Sequence, residues 1–267
     1  MKHFRRDSES VAIFVCGPPM TKTARKLYLD LLTKVLANTI YGDPSNHPTR
    51  PGPYQAHIRE VGQDWPVLAH TMVGTRRLEN LRDLAQGALD EAIPGDLIET
   101  GVWRGGCCIL MRGVLAANEV TDRKVYVADS FAGLPPPNAK AFPADAGFHL
   151  EQHTQLAISL GQVKDNFSRY GLLDDQVVFV PGWFSQTLPT LEAGPFALIR
   201  LDGDLYESTH VALTALYPKL SPGGFVIIDD YVLGPCQKAV EDFRASHGIT
   251  APMHTVDWAA VWWRKDQ

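Results

Sequence analysis

The chain has 267 residues, enough for one large α/β domain with added elements. Hydrophobic residues make up 45% and charged residues 21%, a balance that excludes global disorder. A net charge of −5 and a pI near 6.0 exclude an electrostatic nucleic-acid partner, and no apolar run approaches the roughly 20 residues that span a bilayer, so no membrane partner is expected.

Residues 1–22 read as a poorly structured leader. Met1 to Arg6 is basic and Val11 to Cys16 is apolar, but Gly17-Pro-Pro19 stops the run, and a secretory signal needs a longer apolar region with a small-residue cleavage site. Residues 23–267 read as a single domain. Its first part, 23–93, reads as a helical cap: apolar spacing predicts helices over about Thr23–Ile40 and Thr75–Glu91, with a Pro/Gly/Asn/Asp-rich loop from Tyr41 to Pro53 between them.

Strands and helices then alternate. Strand Asp96–Glu99 leads into helix Gly106–Asn118, and strand Lys124–Ala128 ends at Asp129-Ser-Phe131. The stretch from Ala132 to about Glu151 is too long for an ordinary connection, and 132–165 reads as a lid over the acceptor region, with a helix from about Thr154 to Tyr170. Strand Val177–Val180 ends at Pro181-Gly-Trp-Phe184, and strand Phe196–Leu201 ends at Asp202. Helix Thr209–Tyr217, strand Phe225–Ile228 with Asp229-Asp230 at its end, and helix Gln237–Ser246 follow. Two final strands, Met253–Asp257 and Ala259–Arg264, read as an antiparallel hairpin at one edge. This alternation predicts an α/β fold of Rossmann type: a mostly parallel, seven-stranded sheet with helices on both faces. In such sheets the ligand sits beyond the carboxyl ends of the strands, where Glu99, Asp129, Trp183, Asp202 and Asp229 all fall. The four cysteines, Cys16, Cys107, Cys108 and Cys236, form no CxxC pair and read as reduced thiols in a cytoplasmic protein.

The turn Glu99-Thr-Gly-Val-Trp-Arg-Gly-Gly106 lacks the G-x-G-x-x-G spacing of dinucleotide sites and the Lys-Ser/Thr of a P-loop. A carboxylate two residues before its first glycine repels a pyrophosphate and suits a cationic ligand. S-adenosylmethionine, with its ammonium and sulfonium groups, has the right sign. The plainer reading is a glycine turn that only joins strand to helix. Asp129, one βα unit later, is placed to accept from ribose hydroxyls, with Ser130 and Phe131 bordering ribose and adenine, although a lone Asp there also serves as a turn residue. Trp183 is a candidate adenine contact, while Trp65, Trp103, Trp258, Trp262 and Trp263 read as core. The segment His70-Thr-Met-Val-Gly74 has the small, flexible residues of a cofactor-covering loop.

Asp202-Gly-Asp204 and Asp229-Asp230 end strands that neighbour each other in a parallel sheet, about 5 Å apart. So many carboxylates cannot all stay ionised together without a cation, and hard oxygen ligands favour Mg²⁺ or Ca²⁺. The plainer reading is a set of helix caps and solvated turn acids. Asp202 or Asp204 is a candidate base, and His149 or His153 in the long loop is an alternative.

Six segments occur together and in order: Leu97 to Gly106, Val127 to Phe131, Asn166 to Gly171, Gly182-Trp-Phe184, Arg200 to Asp204 and Gly223 to Tyr231. Over roughly Tyr28 to Arg264 the chain resembles the macrocin O-methyltransferase family, S-adenosylmethionine-dependent enzymes that methylate sugar hydroxyls on antibiotics. The resemblance implies a class I methyltransferase fold and Mg²⁺ held by Asp202, Asp229 and Asp230. It implies cofactor contacts at Thr71 and Met72, at Glu99, Thr100, Gly101, Val102, Arg104, Gly105 and Gly106, and at Asp129, Ser130 and Phe131. It also implies a base at Asp202 or Asp204, a glycosylated antibiotic acceptor carrying a deoxysugar such as noviose or a macrolide sugar, and a homodimer or higher homo-oligomer formed through the N-terminal helices. The rival readings are a catechol or phenol O-methyltransferase, a non-catalytic nucleotide-binding module and a dehydrogenase. The acid cluster speaks against the binding module, and Glu99 with the missing glycine spacing speaks against the dehydrogenase.

Overall fold

The structure, a computed structural model, describes residues 20–266. The expected leader, with Cys16 and the Val11–Cys16 run, therefore lies outside the described residues except for its last three positions. Helix α1 (Lys22–Leu36) starts within them, where the Thr21 hydroxyl caps it by accepting from the Ala24 amide at 3.1 Å.

A short helix α2 (Ala56–Glu60) and helix α3 (Gly74–Asp90) complete the N-terminal part. The alternating part runs β1 (Asp96–Thr100), α4 (Gly106–Ala117), β2 (Val125–Asp129), α5 (Leu160–Arg169), β3 (Val177–Pro181), α6 (Phe184–Thr187), β4 (Phe196–Leu201), α7 (Tyr206–Leu216), β5 (Leu220–Ile228), α8 (Gly234–Ser246), β6 (His254–Thr255) and β7 (Val261–Arg264). The strands form one sheet in the order β3-β2-β1-β4-β5-β7-β6. The first five pair in parallel, whereas β7 is antiparallel to β5 and to β6, so the sheet is mixed and carries the expected antiparallel hairpin at one edge.

Strand alternation divides the core in two. Leu97, Val125, Val127, Leu198, Phe225 and Ile227 face α1, α3 and α4, while Ile98, Tyr126, Ile199, Val226 and Ile228 face α7 and α8. Among the described residues no helix is long and apolar enough to cross a membrane.

Several expected boundaries move; α1 ends at Leu36 rather than Ile40, and β5 begins at Leu220 rather than Phe225. The helix expected over Thr154–Tyr170 is broken. Thr154–Leu156 is a single 3₁₀ turn, and α5 begins only at Leu160, because the Ser159 hydroxyl caps it by accepting from Gln162 at 3.2 Å. Helix α7 begins three residues before the expected Thr209. The strand expected over Met253–Asp257 shrinks to two residues, since Asp257 Oδ1 turns back to accept from the Ala259 and Ala260 amides. Between β2 and α5 the chain contains only 3₁₀ turns, at Pro143–Asp145, Leu150–Gln152 and Thr154–Leu156.

Candidate active site

A cavity of about 640 Å³ opens beyond the carboxyl ends of the parallel strands. That volume is of the size that holds a drug-sized ligand. Its walls are largely aromatic and aliphatic: Trp65, Trp103, Trp183, Phe148, Leu150 and Leu156 contribute, and the polar groups gather on its floor.

The glycine turn after β1 abuts that floor. Gly101 has φ +82°, and a Cβ there would lie 1.7 Å from the Asp202 carbonyl oxygen. A Cβ at Gly106 would lie 2.5 Å from the His70 carbonyl oxygen. These glycines let segments of this chain approach one another: Gly101 brings the turn onto the acid cluster, and Gly106 brings the 70–74 segment onto α4. Gly105, at φ +86°, turns the chain into α4.

Asp129 closes the turn from below. Its Oδ2 accepts from Val102 N at 2.7 Å and its Oδ1 from Phe131 N at 2.7 Å. Burial raises its carboxyl above the ordinary range, against the pull of those two amides. Phe131, at φ +54°, is bent back by that bond and packs at the edge of Phe179.

Of the expected cofactor residues, Met72, Gly101, Asp129, Ser130 and Trp183 line the cavity. Thr71, Thr100, Val102, Arg104, Gly105, Gly106 and Phe131 stand outside its lining and build the wall. Thr71 is buried beside Cys107, and Arg104 donates to the Pro66 and Ala69 carbonyls at 3.1 and 2.8 Å. Glu99 is buried and also outside the lining. The cation beside it is the Arg200 guanidinium, and its other oxygen accepts from Cys108 Sγ at 2.8 Å. Burial, only partly offset by Arg200, pushes the Glu99 carboxyl up to about 7.

Asp202, Asp204 and Asp230 each point one oxygen into a common space, all within 4.8 Å of one another. The trio differs by one member from the expected metal ligands, because Asp204 stands where Asp229 was expected. Asp229 turns the other way, to Arg77 at 2.5 Å and to Arg200. Burial and then mutual repulsion raise all three members of the trio: Asp202 above its ordinary value, Asp204 to about 8, and Asp230 well above the carboxylate range. Clustered acids with hard oxygen donors are the donor set that a divalent cation satisfies, so the residues present fit such an ion. Neither alternative base is among the residues that line the cavity. His149 is exposed and pairs with Glu151 at 3.1 Å, and His153 packs edge-on against Trp65.

Two arginines escaped the sequence reading. Arg200 lies on β4 directly opposite Glu99, fully buried, and binds Glu99, Asp202 and Asp229. Arg77 on α3 joins Asp229 to Asp257, the latter at 2.8 Å, and lies over the Trp258 ring. A cation inside the otherwise apolar run Phe196–Leu201 was the available signal for Arg200; nothing in the sequence marked Arg77. Trp65, Trp103 and Trp258, expected in the core, line the cavity instead, and Cys107, Cys108 and Cys236 are buried free thiols as expected.

A cavity at the switch point of a Rossmann-type sheet, with a glycine elbow on one side and a carboxylate trio on the other, defines a group-transfer enzyme of the class I methyltransferase fold. The chain belongs to the macrocin O-methyltransferase (TylF) family, whose profile matches residues 45–265, and it is an O-methyltransferase. It is 53% identical over 247 residues to the 8-demethyl-8-(2,3-dimethoxy-alpha-L-rhamnosyl)-tetracenomycin-C 4'-O-methyltransferase of Streptomyces olivaceus, covering 92% of this chain and 95% of the relative. It is 48% identical to the demethyldecarbamoylnovobiocin O-methyltransferase of Streptomyces niveus, covering 92% and 98%. The solved structure of the O-methyltransferase NovP superposes with a TM-score of 0.87 at 48% identity, covering 91% of this chain and all of that one.

Proposed function

We propose that this chain transfers the methyl group of S-adenosylmethionine to a sugar hydroxyl of a glycosylated antibiotic intermediate, with Mg²⁺ at the carboxylate trio. The observation that carries the reading is the placement of Asp202, Asp204 and Asp230 on the floor of the cavity that Gly101 and Asp129 also line. The names of the two relatives support a glycoside acceptor, and a deoxysugar such as rhamnose or noviose is the acceptor unit we favour.

When bound, S-adenosylmethionine supplies an activated methyl group, and the cation supplies positive charge that makes a nearby hydroxyl more acidic. The residues of the chain do the rest. Asp129, Ser130, Met72 and Trp183 hold the cofactor, and the wall behind them, including Glu99 through Arg200, fixes the turn. Asp202, Asp204 and Asp230 hold the cation, and Asp202 or Asp204 accepts the hydroxyl proton. The segment from Gly133 to Leu156 covers the site and keeps water from it. We also propose a homo-oligomer through α1, whose Leu27 and Leu31 are 65% and 55% exposed on one stripe. Light scattering on L27D/L31D, expected to be monomeric, tests it.

Calorimetry with S-adenosylhomocysteine and with NAD tests the cofactor: binding of the first alone is expected. Labelled S-adenosylmethionine is then offered with demethyldecarbamoylnovobiocin and with the rhamnosyl tetracenomycin intermediate, and products are read by mass spectrometry. One added methyl on the sugar, abolished by EDTA and restored by MgCl₂, is the expected result. Methylation of a simple catechol with neither glycoside accepted would replace this reading with the aromatic-diol one, and full turnover in EDTA would remove the metal.

A further inference from the structure

Helix α7 has no cap of its own. Its N-cap residue is Leu205, which is buried and offers no hydrogen-bonding side chain, yet the helix starts two residues after Asp204. Its first amides are met from far upstream. Asp145 Oδ1 accepts from Tyr206 N at 2.6 Å, and Oδ2 accepts from Glu207 N at 3.1 Å, across 61 and 62 residues. Asp145 is 0% exposed and belongs to the long segment between β2 and α5. Its neighbour Phe142 packs against the Tyr206 ring, 6.0 Å between centroids, and the Tyr206 hydroxyl donates to Asp242 on α8 at 3.0 Å.

The segment is thereby pinned at its middle. The two flanks of the pin, Gly133 to Pro136 and Phe148 to Leu156, are the parts that line the cavity. On the other side of the pin lies the turn Asp202–Asp204. Asp204 has φ +57°, a conformation that an aspartate keeps only when its surroundings enforce it. Two enforcers are visible: Asp230 Oδ2 accepts from Asp204 N at 3.2 Å, and Asp145 holds the next turn of chain.

We propose that Asp145 is a positioning residue: its carboxylate, capping α7 from within the covering segment, orders that segment and the Asp202–Asp204 turn as one piece, so that the acceptor is enclosed against the acids that serve the reaction. The role of the turn rests on the function proposed above; the mechanical link rests on the hydrogen bonds alone. A local cap would have ordered the helix without the cover, and a cover anchored elsewhere would not have sensed the turn.

The test uses the full chain with D145A and D145N, followed by hydrogen–deuterium exchange, melting and steady-state kinetics on whichever of the two glycosides is methylated. In D145A, exchange is expected to rise together at Tyr206, at Glu207 and across residues 138–156. The acceptor KM should rise roughly ten-fold, as loss of a buried cap implies, while S-adenosylhomocysteine affinity stays within about two-fold. D145N keeps one accepting oxygen. It should restore the acceptor KM and the protection of 138–156, leaving a single amide of the pair faster to exchange, and it carries the test if D145A does not fold. A D145A that loosens only α7, or that melts lower with KM and the 138–156 exchange unchanged, would reduce Asp145 to a helix cap and overturn the proposal. If the wild type methylates neither glycoside, the functional reading fails, and the exchange data still decide the link.

Discussion

Asp229 and Asp230 are neighbours in the chain and occupy opposite electrostatic surroundings. Asp229 is buried between two arginines, Arg77 and Arg200, within a group that also holds Glu99 and Asp257. Asp230 faces Asp202 and Asp204, and burial and its neighbouring acids raise its carboxyl. The difference follows from the period of a strand. Ile227 and Asp229 share the face toward α3 and α4, on which Glu99 and Arg200 lie opposite one another, while Ile228 and Asp230 belong to the face toward α7 and α8; both aspartates reach the cavity at the strand end. The arginine group is neutralised by the fold and serves as scaffold; Asp204 and Asp230 are left for a ligand to neutralise, and Asp202, paired with Arg200 at 2.8 Å, joins the two groups.

If that division holds, the two groups must fail in different ways when cut. The largest effect is on chemistry. Asp202→Asn should lower methyl transfer by about 10²–10⁴-fold with a normal melting curve, since it removes a ligand or base from the open trio without leaving a buried charge unpaired. Near-native turnover in a coupled assay would remove Asp202 from the mechanism.

Arg200→Met should fail by unfolding. It leaves Glu99 buried without its cation and Asp229 with Arg77 alone, and breaking such a buried pair costs about 3–5 kcal/mol, read as a lowered urea midpoint. A variant as stable as wild type would show that the arginine group is not scaffold.

A smaller effect separates the groups by pH. The raised carboxyls of Asp204 and Asp230 favour the protonated form in the folded state. Their contribution to stability is complete below the ordinary carboxylate range and is lost as pH rises, for Asp204 through about 8. The metal-free protein should therefore melt lower at pH 8 than at pH 5.5, and MgCl₂ should raise the melting temperature more at pH 8, where no proton has to leave. Equal Mg²⁺ shifts at both pH values would contradict the assignment of the trio. The smallest effect is expected at His149→Ala: an exposed histidine paired only with Glu151 should leave kcat within about two-fold of wild type. A hundred-fold loss would move the base into the covering segment.

The elements around the site were legible where local chemistry decided them. The apolar runs of β1, β2, β4 and β5 could be read as buried strands and Gly101 as a turn, because each depends on residues a few positions apart; Ser159, as local a signal, caps α5 where the apolar spacing places a helix from Thr154. The strand-end acids could be read as a group, because parallel strands bring their carboxyl ends together whatever the details. The start of α7 could not be read, since its cap comes from Asp145. Nor could the swap of Asp204 for Asp229 in the trio: it depends on a left-handed residue at Asp204 and on Arg77 reaching over from α3.

By itself the sequence determined the order of strands and helices, the glycine elbow, the family and the presence of a carboxylate-rich floor, because periodicity and short motifs act over a few residues. Tertiary structure alone decided which carboxylates meet, which are silenced by arginine, and how the covering segment is tied down. Those outcomes depend on side chains 26 to 180 residues apart meeting in three dimensions, and no local pattern in the chain records such a meeting.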